Sequence, residues 1–274
     1  MGYIIAALLL WSRLLGAQSY ECASVSKAGD EVTLTAESWR PVRAIGRELA
    51  DRYGISVSVE DPKWAFPIDS EDVAVADSKF SAEHHNTHYQ LMKRHVLQVR
   101  FAVDRDGAPR DVLQLLHQTV DAANQEMPYA YRLDAGDGTY AFVPTKTRNS
   151  AGELEDVQPL LDHHVTIPSG TRSIAAIGDL IAKQLSQQTG LHVSCCQAFV
   201  AGVPWGMGKV TFGAQDKPAR EALKELIRLE EDENSKSPAR HPAYDHWAVG
   251  CDGTGAPWCF IEVEGKYSSR CRRQ

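Results

Sequence analysis

The chain has 274 residues, 43% of them apolar and 8% aromatic, an ordinary make-up for folded domains and enough for two cores. A net charge of -7 excludes a nucleic-acid role that rests on a positive field, because phosphate contacts need clustered Lys and Arg. The tail carrying Arg270, Arg272 and Arg273, residues 267–274, is too short to reverse that balance.

At the start, Ile4 to Trp11 is an uninterrupted apolar run followed by Leu14-Leu15-Gly16-Ala17-Gln18-Ser19. This is the pattern of a secretory signal peptide over residues 1–19, with an uncleaved anchor as the alternative. The run is shorter than the ~20 apolar residues a membrane span needs, so membrane contact is expected only through this segment. The remaining chain is then expected in the periplasm or outside the cell. All six cysteines, Cys22, Cys195, Cys196, Cys251, Cys259 and Cys271, fall after it, and an even number in an exported chain predicts disulfides. Cys251 and Cys259 flank an Asp-Gly-Thr-Gly turn and could pair across a hairpin, or one of them could tie down Cys195-Cys196; the sequence leaves both open.

Val32 to Thr35 reads as a strand. Pro41 then suits the first turn of a helix whose apolar stripe is Val42, Ile45, Leu49 and Tyr53, and Gly54 ends it. Ile55, Val57 and Val59 alternate with serines, as in a half-buried strand. Residues 60–95 read as an irregular insertion. A strand resumes over His95 to Val103, and Pro109 opens a helix expected to bury Val112, Leu113, Leu115, Leu116 and Val120. Tyr129 to Leu133 and Thr139 to Val143 flank a turn at Asp137-Gly138, a hairpin signal. Residues 146–160 are rich in Ser, Gly, Glu and Asp and read as a linker.

Beyond it the order repeats. A strand at 164–167 leads to a helix at about 173–188 with Ile174, Ile177, Leu180, Ile181 and Leu185 inward. Strands at 191–196 and 209–213 precede a helix bearing Ala222, Leu223, Leu226 and Ile227. Glu230 to Pro242 reads as a charged loop, and strands at 244–250 and 257–263 close the unit. The landmarks match in sequence as well as in order. Ala44-Ile45-Gly46 answers Ala176-Ile177-Gly178, Gly54-Ile55-Ser56-Val57-Ser58 answers Gly190-Leu191-His192-Val193-Ser194, and Val99-Arg100-Phe101 answers Val210-Thr211-Phe212. A duplicated module is the expected cause. The expected fold class is α+β: two tandem βαββαββ modules, residues 28–145 and 161–266, each a small sheet with two helices on one face.

This element order, with Val32 to Val59, Val99 to Leu116 and Tyr129 to Val143 in one half and Val165 to Val193, Val210 to Leu229 and Tyr244 to Val263 in the other, resembles the secretin and TonB short N-terminal (STN) domain. The nearest local likeness is Ala222-Leu223-Lys224-Glu225-Leu226-Ile227. The resemblance implies a periplasmic protein-contact module with no catalytic residues and no cofactor, of the kind found at the mouth of secretins and in the signalling domain of TonB-dependent receptors.

Candidate chemistry is sparse. Glu83, His84, His85 and His88 form the most metal-like cluster, since His84 and His88 would share a helical face. Surface histidines of no special role are the blander reading. Vicinal Cys195 and Cys196 point to opposite faces of a strand, which favours structural pairing over redox work. His117, His163 and His164 read as solvated or structural. Residues Gly202 to Gly208 lack the Lys-Ser or Lys-Thr ending of a phosphate loop. Asp137 and Asp252 serve tight turns. The leading functional expectation is an exported, non-catalytic adaptor that meets an envelope protein by docking or strand addition, with Trp39, Trp64, Phe66, Trp205 and Trp258 as candidate anchors. The alternatives are a metal-binding envelope hydrolase using Glu83, His84, His85 and His88, and a cell-wall glycan binder using the tryptophans.

Overall fold

In the computed structural model, residues 23–62, 70–72, 90–136, 138–149, 151–195, 208–236, 244–252 and 258–265 are described. They form an α+β protein with four helices and several sheets. The first half runs β1 (Ser24–Ala28), β2 (Glu31–Ser38), α1 (Pro41–Tyr53), β3 (Val57–Glu60), β4 (Ser70–Asp72), β5 (Gln90–Met92), β6 (His95–Ala102), α2 (Val112–Glu126), β7 (Ala130–Gly136) and β8 (Thr139–Arg148). After β9 (Leu154–Asp156) and a 3-10 turn at Leu160–Asp162 come β10 (His164–Ser173), α3 (Ile174–Thr189), β11 (His192–Cys195), β12 (Lys209–Pro218), α4 (Ala219–Lys236), β13 (Tyr244–Asp252) and β14 (Trp258–Gly265).

The helix ends follow from local chemistry. Pro41 opens α1, where its missing N–H costs nothing, and Gly54 closes it at φ +66, a left-handed turn that a side chain would strain. Asp111 caps α2 by accepting from the Gln114 N–H at 2.9 Å, and Ser173 caps α3 by accepting from the Ala176 N–H at 3.2 Å. Two expectations change here. Leu113 lies in the exposed first turn of α2, at 47% exposure, because the buried stripe runs through Leu115, Leu116, Thr119, Val120 and Ala123 instead. The charged stretch from Glu230 continues as helix to Lys236, its three glutamates favouring the extension of α4. The stretch read as a linker carries β9, paired antiparallel with the end of β8. In the stretch read as irregular, β4 and β5 pair as a short hairpin.

Strand pairing has the same order in both halves. β2 pairs antiparallel with β6, and β10 with β12. β3 lies parallel to β8, whose other neighbour is β7; β11 lies parallel to β14, whose other neighbour is β13. The strands of each half therefore divide between a ribbon and a larger sheet, where a single small sheet had been expected. The larger sheet crosses the whole molecule in the order β11-β14-β13-β3-β8-β7, because β13 joins β3 in parallel through Ala248 with Val59 and Val249 with Glu60.

Alternation along these strands places the two cores on opposite faces of that sheet. In β8, Phe142 points into the first core with Val57, Val59, Leu34, Ile45 and Leu116, while Ala141 and Val143 point into the second with Ile177, Leu226, Trp247 and Ile261. Helices α1 and α2 cover one face and α3 and α4 the other, and each helix pair is backed by its own ribbon.

Candidate docking edges and the buried joint

The joint between the halves is short in backbone terms and heavily charged. Besides the two register pairs, the Asp61 N–H donates to the Val249 carbonyl at 2.9 Å and the Trp247 N–H to Ser58 Oγ at 3.3 Å. Successive residues Glu60 and Asp61 then turn to opposite faces and meet arginines there. On the face of the second core, Arg220, at the start of α4, holds Glu60 at 3.1 Å and Asp162 at 2.6 Å, and Arg132 holds Asp162 at 2.9 Å. On the other face Arg40 lies 3.2 Å from Asp61, donates to the Cys251 carbonyl at 3.2 Å, and stacks 3.8 Å over the Trp39 ring. One turn along α1, Arg43 is ion-paired with Glu262 of β14.

Burial dominates the titration of this joint. It pushes the Glu60 carboxyl up to about 7, even though the Arg220 guanidinium and the Leu161 N–H pull it down. It also raises Asp61 against the opposing charges of Arg40 and Arg43, and it raises Tyr131 well above the phenolic range, with the Asp61 charge adding to the effect. Asp162 goes the other way. Partial burial alone would raise it, but hydrogen bonds from Arg220 and Arg132 outweigh that and hold it below the usual carboxylate range.

An exposed strand edge presents backbone N–H and C=O groups to any passing strand, so its treatment tells where a partner can add. Three edges are capped by a helix side chain that holds both groups of one outward residue. Asn124 of α2 accepts from the Tyr131 N–H at 2.7 Å and donates to its carbonyl at 3.0 Å, on β7. Ser186 of α3 accepts from the Val193 N–H on β11 at 2.9 Å, and its single hydroxyl proton is shared between the Ala182 carbonyl at 2.9 Å and the Val193 carbonyl at 3.3 Å. Gln184 holds both groups of Thr166 on β10, where Gln188 also donates to the His164 carbonyl at 2.7 Å. The outer edge of β1 is only five residues long.

Two further edges, β6 and β12, hold equivalent places in the pairing order. The Val103 N–H donates to the Asp30 carbonyl, and this fixes the phase of the β2–β6 ladder. Leu97, Val99 and Phe101 bond to β2, so the groups of Val96, Gln98 and Arg100 face outward. Likewise the Ile174 N–H donates to the Gly208 carbonyl, which turns the groups of Lys209 and Thr211 outward from β12. Among the described residues no strand pairs with the outer edge of β6 or of β12. β6 keeps one unbroken register over its length, whereas the β10–β12 ladder is interrupted by register shifts.

Of the residues singled out by sequence, Cys251 and Cys259 face one another in register on β13 and β14 and form a disulfide. Cys195 is buried in the second core and is also disulfide-bonded. Cys22, Cys196 and Cys271 lie outside the described residues, as do Glu83, His84, His85, His88, Trp64, Phe66 and Trp205. Trp39 is half-buried beneath Arg40, within the joint. His164 is exposed and lies 3.0 Å from Asp216. His117 is exposed on α2. Sequence reasoning missed the joint altogether. The available signal was two adjacent acids, Glu60 and Asp61, directly after the buried alternation of Val57 and Val59. The chain matches no protein-family model, no curated protein and no solved structure.

Proposed function

We propose that this chain is an exported, non-catalytic adaptor built from two STN-like βαββαββ modules, which binds an envelope protein in a secretin-like or TonB-linked transport or signalling assembly. The tandem reading is supported by the recurrence of one pairing order, β2–β6 with β10–β12 and β3–β8–β7 with β11–β14–β13. The docking reading is carried by one observation. Side-chain caps sit on β7, β10 and β11, while among the described residues the outward backbone groups of β6 and β12 meet no such cap. A strand added there would gain main-chain hydrogen bonds for affinity and alternate side chains for selectivity.

The test is affinity capture from envelope extract with the wild-type chain, Gln98→Pro and Thr211→Pro. Proline removes an N–H that faces outward and leaves the inner ladder intact, a position where edge strands tolerate it. A transport or receptor component that recurs with the wild type and disappears with either variant supports the adaptor. Capture unchanged by both variants, or no component at all, refutes docking at these edges.

A further inference from the structure

We infer that the open edge of β6 is filled by β6 of a second copy of this chain, antiparallel across a two-fold axis; the inference rests on reading β6 as a docking edge. The chain itself limits that edge. After β6 it folds back, so that the Arg110 N–H donates to the Ala102 carbonyl at 3.1 Å and the Asp104 N–H to the Ala108 carbonyl at 2.9 Å. Residues 108–110 therefore close the edge from Ala102 onward and leave Val96, Gln98 and Arg100 as the pairing window.

Only one two-fold register pairs all three of these residues within the window. Centred on Gln98, it sets Gln98 against Gln98 of the second copy and Arg100 against Val96, and each outward N–H and C=O finds a partner. A centre at Val99 would drive Val96 of the second copy against Ala102, where residues 108–110 already lie. A centre at Arg100 would set two arginines directly opposite, which like charge disfavours. Val96 is half exposed, one of three large apolar side chains left in solvent among the described residues, and this register covers it.

Charge also selects an identical partner. Lys93 and Arg94 lie just ahead of β6, while beyond its end Asp104, Asp106 and Asp111 outnumber Arg105 and Arg110, and Arg110 is itself tied to Asp30 at 2.6 Å. Antiparallel pairing of two copies brings each basic end to the other's acidic end, so the edge complements itself, as an isologous interface must. The β12 edge, with its interrupted ladder, then remains for a different protein.

Sedimentation velocity on the full chain over a concentration series tests this. The wild type is expected to approach twice the mass of the chain and to dissociate on dilution. Gln98→Pro is expected to stay monomeric with its circular dichroism and melting temperature unchanged. Gln98→Lys keeps the backbone N–H but sets two ammonium groups face to face at the axis, and is expected to weaken the dimer about tenfold. A wild type that is monomeric throughout, or a dimer untouched by both variants, overturns the inference. If that monomer still loses an envelope component on Gln98→Pro, self-pairing falls and the docking edge stands. A dimer abolished by Gln98→Pro but with no captured component sustains self-pairing and removes the adaptor.

Discussion

Replacing Arg220 with Met should loosen the joint by an amount that depends on pH. Arg220 is almost wholly buried and bonds to both Glu60 and Asp162. Met fills similar volume but leaves the Glu60 carboxylate buried with no cation beside it, and breaking a buried pair in this way costs about 3–5 kcal/mol. Asp162 moderates the loss, since it keeps Arg132 and some contact with water. The sign of the pH effect follows from Glu60. Its native value of about 7 stands above the ordinary 4.5, so the folded state holds the proton longer. The contribution to stability is full below pH 4.5, falls as pH rises to about 7, and is flat above, a total loss of roughly 3 kcal/mol. Without Arg220 the native value rises further, so the decline extends into the alkaline range. Urea unfolding at pH 5.5 and pH 8 should therefore show a larger penalty for Arg220→Met at pH 8, and Glu60→Gln should lessen the decline between pH 4.5 and 7, leaving the share that comes from the raised Asp61. Equal penalties at both pH values, together with a Glu60→Gln profile that still declines like the wild type, would refute the reasoning.

The other face of the joint has a steric test. A Cβ on Gly250 would lie 2.7 Å from Phe260 Cζ and 2.9 Å from Arg40 Cζ, so Gly250→Ala should displace Arg40 and cost about 1–3 kcal/mol, read by urea unfolding. Asn124→Ala uncovers the N–H and C=O of Tyr131 on β7; we expect a loss of about 1–2 kcal/mol and greater aggregation at high concentration, measured by melting and light scattering.

Much of the fold was legible because its signals are local. The stripe Val42, Ile45, Leu49 and the stop at Gly54 define α1 from sequence alone, as Ile174, Ile177, Ile181, Leu185 and Gly190 define α3. Leu113 misled because an apolar residue at a helix start counts toward the stripe even when that turn faces water. The continuous sheet was not legible. It depends on β13 of the second half meeting β3 of the first, and no periodicity within either half encodes that meeting. Glu60, Asp61, Arg40 and Arg220 look like ordinary surface charges until tertiary packing encloses them. Asn124, Gln184 and Ser186 are polar helix residues of the commonest kinds, and only the register of the neighbouring strand turns them into edge caps.

Docking at the uncapped edges is tested most directly inside the cell envelope, with a photoreactive side chain placed at position 98 or 211 and, for comparison, at position 192 on the capped β11. Irradiation should give discrete protein adducts from 98 and 211 and none from 192, and an adduct of twice the chain's mass from 98 would mark self-pairing. No adduct from either open edge, or equal adducts from all three positions, would contradict the account.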